Sequence, residues 1–135
     1  MSTNYVELAR AFEACDVDVS AFGHIDHVGV AYEMLRTCDF LDASLKYSEC
    51  INTIATKAGA SQKFNLTITL AFLSLIAERM NATRHNSFGS FIRQNRDLLS
   101  ANVLAKWYSP ERLRSDLARA VFLMPDAGAD QSAQV

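Results

Sequence analysis

Apolar residues recur at a helical spacing along most of the chain. The clearest case is the segment from about Phe40 to Ala58, where the charged residues fall opposite the apolar ones. The apolar side of this segment comprises Leu41, Leu45, Ile51, Ala55 and Ala58, with Tyr47 and Ile54 at its edge. Gly59 follows at the position where a left-handed residue commonly ends a helix. An amphipathic helix is therefore predicted here.

Further helices are predicted from the same spacing over about residues 3–14, 24–36, 88–95 and 98–108. Near the end of the chain, Ser109, Pro110 and Glu111 have the order of an N-cap, a first-turn proline and a first-turn acid. A last short helix or turn is expected to follow these residues as far as about Leu123.

The segment from Ser61 to about Met80 is apolar on all sides. The β-branched residues at 67–69 are common in strands, but the length and the continued 3.6-residue spacing favour a helix. A helix that is apolar all round is usually the buried one. The prediction is an all-α, single-domain bundle of five to seven helices around this central helix, over residues 1–124, with residues 125–135 forming a disordered tail.

Composition supports an ordinary globular domain. The chain has 135 residues, of which 50% are hydrophobic and 21% charged, and a domain of this size folds without a metal or a disulfide. The longest apolar stretch, Leu66 to Ala77, is too short to cross a bilayer, so no membrane partner is expected. The first residues lack the apolar core of a secretory signal, which favours a cytoplasmic location.

The three cysteines are Cys15, Cys38 and Cys50, an odd set without a CxxC spacing. A disulfide framework is therefore not expected, and a reducing compartment is the natural inference. We interpret each cysteine as a small buried hydrophobic residue.

Charge is distributed unevenly although the net charge is only −2. Residues 1–50 contain nine acids and three bases, whereas residues 79–119 contain eight bases and three acids. The bases are spread over several segments without a nucleic-acid-binding signature, so a nucleic-acid partner is not expected. The alternative is that the two halves face each other, either within the fold or across a homodimer.

Two histidines, His24 and His27, lie three residues apart at the start of the second predicted helix. This spacing brings both imidazoles to one side of a helix. Imidazole titrates near neutrality and also binds metals, so the pair suits acid/base catalysis or contact with a substrate. Two histidines make an incomplete metal site, because a third ligand is needed and the sequence contains no HExxH or ExxH motif to supply it. No cofactor is predicted; a divalent metal at His24 and His27 and a purely structural role are the alternatives.

The predicted central helix carries polar residues that its apolar surroundings do not explain. Lys63, Asn65, Thr69 and Glu78 are the candidates for binding a substrate. A buried polar group costs free energy unless it is paired, so such residues either bond each other or line a wet pocket. Threonine also bonds back to the carbonyl four residues earlier, which is an alternative for Thr69. Glu78 alternatively lies in solvent at the helix end.

Three blocks of the sequence resemble a group of small helical bacterial proteins. The blocks are FGHIDHVGVAYEML, KFNLTITLAFLSLIAERM and LLSANVLAKWYSPERLRSDLARAVFLMPD, and the resemblance covers about residues 20–126. The group tends to have His-x-x-His in the first block, matched by His24 and His27. Its second block tends to read Lys-Tyr-His followed by threonines, so Asn65 stands where the group has histidine. The resemblance implies a helical fold and no particular reaction, and the loss of one imidazole weakens the metal interpretation.

Two functional hypotheses follow from these residues. The first is a small-molecule enzyme of bacterial metabolism, in which His24 and His27 line a pocket inside the bundle. In this hypothesis Lys63, Asn65 and Thr69 orient an anionic or carbonyl-bearing substrate, and Glu78 lies further out. The second is a non-catalytic ligand-binding or protein-interaction module, with a homodimer as one alternative for its assembly; it is expected to have a filled interior and an exposed apolar patch.

Overall fold

The computed structural model describes residues 4–17 and 22–127, and within these ranges every regular element is helical. The helices are α1 (Tyr5–Glu13), α2 (His24–Thr37), α3 (Phe40–Lys57), α4 (Leu66–Ala82), α5 (Phe88–Gln94), α6 (Pro110–Leu113) and α7 (Asp116–Ala120). Short 3₁₀ turns cover Ser61–Lys63, Arg96–Leu99 and Val103–Lys106. The predicted all-α class is confirmed.

The most enclosed helix is α2, not the segment 61–80 that the sequence pattern favoured. All seven residues from Val28 to Met34 are buried, because α2 packs against α1, α3, α4 and α5. Gly29 permits the contact with α1, since a Cβ atom there would lie only 2.5 Å from the ring of Tyr5. In helix α4 only Thr67, Leu73, Leu75 and Ile76 are buried, and Ile68 is 40% exposed. Helix α2 is therefore more enclosed than the helix predicted to be central, and α4 packs against α2, α3 and α7.

Helix α4 begins at Leu66 rather than at Ser61. The chain forms a 3₁₀ turn at Ser61–Lys63 and then becomes extended at Phe64 and Asn65. The Asn65 side chain accepts a hydrogen bond from the backbone N–H of Ile68 at 2.9 Å, so Asn65 is the N-cap. The spacing of apolar residues continues across residues 61–66, so the spacing alone does not show that the helix begins only after Asn65.

The third helix runs as predicted, but its buried side is not the predicted apolar stripe. Its buried residues are Ala43, Ser44, Tyr47, Cys50 and Ile54, which face α1, α2 and α4. Leu41 and Leu45 are 82% and 58% exposed. The helix is thus rotated relative to its own hydrophobic pattern, and an apolar edge is left on the surface.

An aromatic cluster fills the end of the bundle near α5. The fully buried Tyr32 packs between Phe88 and Phe91, with ring centroids 5.6 and 5.0 Å away. Its hydroxyl lies 2.8 Å from Nδ1 of His85, whose Nε2 lies 3.1 Å from the carbonyl oxygen of Met80. Because a carbonyl only accepts, His85 carries its proton on Nε2 and accepts from Tyr32 on Nδ1. His85, the third histidine of the chain, thus links Tyr32 to the backbone at the end of α4.

The C-terminal segment is ordered slightly further than predicted. The capping role of Ser109 is confirmed, since its hydroxyl accepts from the N–H of Arg112. The Asp126 carboxylate in turn accepts from the N–H and the hydroxyl of Ser109, each at 2.8 Å. The predicted tail therefore does not begin at Pro125, and the rest of it, residues 128–135, lies outside the described residues. The single helix predicted over 98–108 is instead two 3₁₀ turns.

Cys15 and Cys50 form a disulfide that joins the end of α1 to α3, with Cα atoms 5.0 Å apart. The prediction of three reduced thiols is therefore wrong, and only Cys38 is free. The inference of a reducing compartment loses its basis, because disulfides persist mainly in oxidising compartments. A cytoplasmic location stays a prediction.

Across the part of the chain that the structure describes, no helix combines the length and apolar character that a bilayer-spanning segment requires. The ion pairs of the described residues also stay within each half of the sequence. Asp97, for example, binds Arg79 at 2.8 Å and Lys106 at 3.2 Å. The acidic and basic halves are thus not joined by ion pairs within these residues.

Candidate functional site

His24 and His27 line the same cavity. The cavity has a volume of about 190 Å³ and lies between α2, α3, α4 and the segment 100–104. Its walls are formed by His24, His27, Tyr47, Ile51, Ile68, Thr69, Phe72, Ser100, Ala101, Val103 and Leu104. The lining is mostly apolar with a few polar groups, which is the usual character of a small-molecule site.

His24 is the first residue of α2 and is held by a single hydrogen bond. Its Nε2 lies 2.9 Å from the carbonyl oxygen of Leu98, and its ring centroid is 5.4 Å from that of Phe72. Because the carbonyl only accepts, Nε2 is the donor. When the imidazole is neutral, Nδ1 therefore has a free lone pair for a ligand.

The start of α2 is fixed by Asp26. Its carboxylate accepts from the N–H of Gly23 at 2.8 Å and from the hydroxyl of Tyr5 at 3.0 Å. A carboxylate in the first turn also interacts favourably with the helix dipole. These contacts set the position from which both histidines project.

His27 is partly buried and is held in the neutral form. Burial, together with the nearby charge of His24, lowers the pKa of His27 to about 4, and the carboxylate of Asp26 opposes this only in part. Its Nδ1 lies 3.2 Å from the hydroxyl of Tyr47, and the ring of Phe22 meets it edge-on with centroids 4.5 Å apart. At neutral pH the imidazole therefore offers one donor and one acceptor and carries no charge.

Tyr47 is the partner that fixes the ring of His27. The side chain is buried on α3, and burial raises the pKa of the phenol well above its usual range. Its ring also packs on Phe12 of α1 at 5.1 Å. The Tyr47–His27 hydrogen bond thus joins two neutral groups, and either one can be the donor.

Two hydroxyls complete the polar lining. Thr69 donates to the carbonyl of Asn65 at 2.8 Å, which is the back-bonding alternative considered for this residue. Ser100 is exposed at the mouth of the cavity and accepts from the N–H of Asn102 at 3.2 Å. Sequence reasoning missed Tyr47 and Ser100 as lining residues, because no short spacing links them to the histidines.

Asn65 and Lys63 do not line the cavity. The Asn65 side chain uses its oxygen to cap α4 and donates from Nδ2 to the carbonyl of Leu113 at 2.7 Å. Lys63 is exposed on the 3₁₀ turn before the cap. The expectation that these residues share an interior space with the histidines is wrong. Because α4 begins only at Leu66, both residues precede the helix and lie outside the cavity lining.

Glu78 lines a different hollow. This second hollow, of about 210 Å³, lies between α4 and the aromatic side chains of Trp107, Tyr108 and Phe122. Leu104 lines both hollows, whereas Glu78 lines only the second and the two histidines line only the first. Glu78 is exposed and lies outside the lining of the histidine cavity.

A metal site would need more ligands than the histidine pair provides. In residues 4–17 and 22–127, no three His, Cys, Asp or Glu side chains are grouped so that they would hold a metal ion. His24 also commits Nε2 to Leu98, and His27 commits Nδ1 to Tyr47. The arrangement suits hydrogen bonding and proton transfer better than coordination.

Fold and cavity together define a small helical-bundle protein with a histidine-lined cavity. Comparisons with protein-family models, with curated proteins and with solved structures found no match to this chain. The interpretation of the cavity therefore depends on its own geometry.

Proposed function

We propose that the protein is a small-molecule enzyme whose substrate binds in the cavity between His24 and His27. The observation that supports this most is the meeting of two imidazoles and a buried tyrosine at one mostly apolar cavity. Enclosed apolar walls strengthen the hydrogen bonds made to a ligand inside them, because they exclude water. The setting in bacterial metabolism expected from the resemblance stays a prediction.

The two histidines would have different roles. His24 would accept a proton or a hydrogen bond on Nδ1, because Nε2 already donates to Leu98. His27, with a pKa of about 4, is a weak base that stays uncharged at neutral pH. A neutral imidazole polarises a carbonyl by donating a hydrogen bond without first becoming charged. Tyr47 would hold the ring of His27 in place.

The cavity favours a small and uncharged substrate. Its volume of about 190 Å³ is below the usual range for drug-sized ligands, and its walls include Ile51, Phe72 and Val103. No Lys or Arg is part of its lining within the described residues. Of the two substrate types expected from the sequence, the structure therefore favours a compact carbonyl compound over an anion.

The test is a ligand-observed NMR screen with small aldehydes, ketones and amides, followed by turnover assays on the compounds that bind. Binding should be lost in His27→Ala and weakened in Tyr47→Phe, with circular dichroism showing that both variants fold. Lys63→Ala is the matched control, since this exposed residue lies outside the cavity. Hits that bind His27→Ala as well as they bind the unmodified protein would refute the assignment of the site.

The second hypothesis, a non-catalytic interaction module, is favoured by one observation. A large apolar groove is open to solvent between α3 and α4, on the side of these helices away from α2. Two of its leucines, Leu41 and Leu45, are among the most exposed apolar side chains of the described residues. Large exposed apolar patches commonly mark interaction sites.

A further inference from the structure

The exposed edge of α3 is the most unusual part of the surface. Phe40, Leu41 and Leu45 are 41%, 82% and 58% exposed. Leu41 and Leu45 are one helical turn apart, so they form a ridge along α3. An amphipathic helix normally buries such a stripe, and the folded monomer leaves this one in water.

A groove of matching character lies directly beside this ridge. Its volume is about 590 Å³, and it is lined by Phe40, Leu41, Ser44, Leu45, Ser48, Leu66, Leu70, Ser74 and Phe122. Phe122, which is 44% exposed, closes one side. The ridge and the groove are therefore parts of one continuous surface, and the leucines of the ridge form one wall of the groove.

Three serines give the groove its depth. Ser44, Ser48 and Ser74 stand where larger side chains of α3 and α4 would fill the space. The hydroxyls of Ser44 and Ser48 are buried and have no hydrogen-bond partner among the described residues. Buried hydroxyls without partners are costly and uncommon. The groove is thus a hollow that intramolecular packing leaves unfilled.

The exposed apolar area is close to what a dimer interface needs. A fully accessible side chain of this size presents about 150–200 Å², so the exposed fractions of Phe40, Leu41, Leu45 and Phe122 amount to roughly 400 Å². A standard interface buries about 800 Å² on each partner, of which a little over half is apolar. The patch therefore supplies most of the apolar part of one standard interface.

We infer that a second copy of this chain covers the groove, with the Leu41–Leu45 ridge of each copy seated in the groove of the other. An interface related by a two-fold axis needs one surface that complements itself. A ridge and a groove that lie side by side meet this condition, because both contacts form in a single step. The inference does not depend on the histidine cavity.

Charge permits two copies of α3 to approach each other. The helix contains Asp42 and Glu49 against Lys46 and Lys57, so it has no net charge. Lys46 lies 3.3 Å from Asp42 and 3.6 Å from Glu13, which neutralises the polar border next to the ridge. Such a border suits the polar rim of an interface and adds no repulsion between like surfaces.

The experiment is sedimentation equilibrium of the full chain between about 1 μM and 1 mM, a range that includes weak homodimers. The unmodified protein should change from monomer to dimer with rising concentration. Leu41→Glu should remain monomeric, with a dissociation constant raised at least about 100-fold, since it would bury an unpaired charge in the interface. Because Leu41 is so exposed, its replacement should leave the helical circular dichroism unchanged.

Two further variants test the geometry. Ser48→Trp fills the groove without altering the ridge, and should abolish dimerisation to a similar degree. Val6→Glu is the matched control, because Val6 is 41% exposed on α1 and does not line the groove. A monomer at all concentrations would overturn the inference, and so would a stable wild-type dimer unaffected by either groove variant. Capture of a foreign helix or an apolar small molecule in the groove, with the chain itself monomeric, would also overturn it.

Discussion

The pKa of His27 makes a quantitative prediction about stability in acid. In the unfolded chain this imidazole has its ordinary pKa of 6.5, and in the fold the pKa falls to about 4 because of burial and the charge of His24. Between these two pH values the unfolded state binds a proton that the folded state does not. Folding stability should therefore be complete above pH 6.5 and should decrease as the pH falls toward 4.

The size of the effect follows from the two values. A difference of about 2.5 pKa units corresponds to up to about 3 kcal/mol of unfolding free energy. A domain of this size has only about 5–15 kcal/mol in total, so the loss is a large fraction. Other groups also titrate in this range, and they must be separated from His27.

A paired measurement achieves this separation. Urea unfolding of the unmodified protein and of His27→Gln is followed at half-unit steps from pH 7.5 to 4.5. Glutamine does not titrate and keeps a polar group near Tyr47, while all carboxylates remain in both proteins. The difference in unfolding free energy should change by about 2–3 kcal/mol across the range, in the direction that disfavours the unmodified protein in acid.

The outcome that contradicts this reasoning is equally simple. If the two stability curves run parallel within about 0.5 kcal/mol, His27 has a similar pKa in both states. His27 would then not be held neutral by burial, and its proposed role as an uncharged hydrogen-bond donor would be refuted as well.

Three further substitutions test the fold. Asn65→Ala should cost about 1–2 kcal/mol in chemical unfolding, because it removes a helix cap; loss of ligand binding at the cavity would contradict its placement outside the site. Cys15→Ser combined with Cys50→Ser should cost about 2–4 kcal/mol, because the bond closes a loop with a sequence separation of 35; equal melting of the protein with and without a reductant would contradict the disulfide. Gly29→Ala should cost about 1–3 kcal/mol by pushing a methyl group into Tyr5, and an unchanged melting temperature would show that α1 does not pack so closely there.

Helices with a strong period and a clear end were predictable from the sequence. The bounds of the third helix were predicted to within a residue, because a helical hydrophobic spacing continues along the whole 18-residue helix and Gly59 marks its end. The helix cap at Ser109 could also be predicted, because Pro110 follows it at the first helical position. In contrast, Asn65 was assigned to a helix interior, since an asparagine within an apolar period does not reveal whether it caps a helix or lies inside one.

The two histidines of the candidate site could be predicted from the sequence, whereas Tyr47, the partner of His27, could not. His24 and His27 share the cavity because a spacing of three residues on one helix fixes their relation. Tyr47 belongs to a different helix, and only the packing of α3 on α2 brings its hydroxyl to His27. The disulfide has the same cause, since the folding of α1 onto α3 brings together two cysteines that are distant in sequence.

Helices α3 and α4 serve both the cavity and the groove, and this sharing leads to the final prediction. Tyr47 of α3 faces His27, while Ser44 and Ser48 on the same helix line the groove. Helix α4 similarly gives Thr69 to the cavity and Leu70 to the groove. Only one layer of helix therefore separates the two hollows.

Leu41→Glu separates dimerisation from the chemistry of the cavity, since Leu41 lies on the surface and outside the cavity lining. If the cavity works within one copy, this variant should lose the dimer and bind cavity ligands within about twofold of the unmodified protein, as measured by NMR titration. A loss of ligand affinity in step with dissociation, at unchanged helical content, would show instead that the second copy holds α3 and the Tyr47–His27 hydrogen bond in place. Lys63→Ala at the same concentrations provides the reference, because Lys63 lines neither hollow.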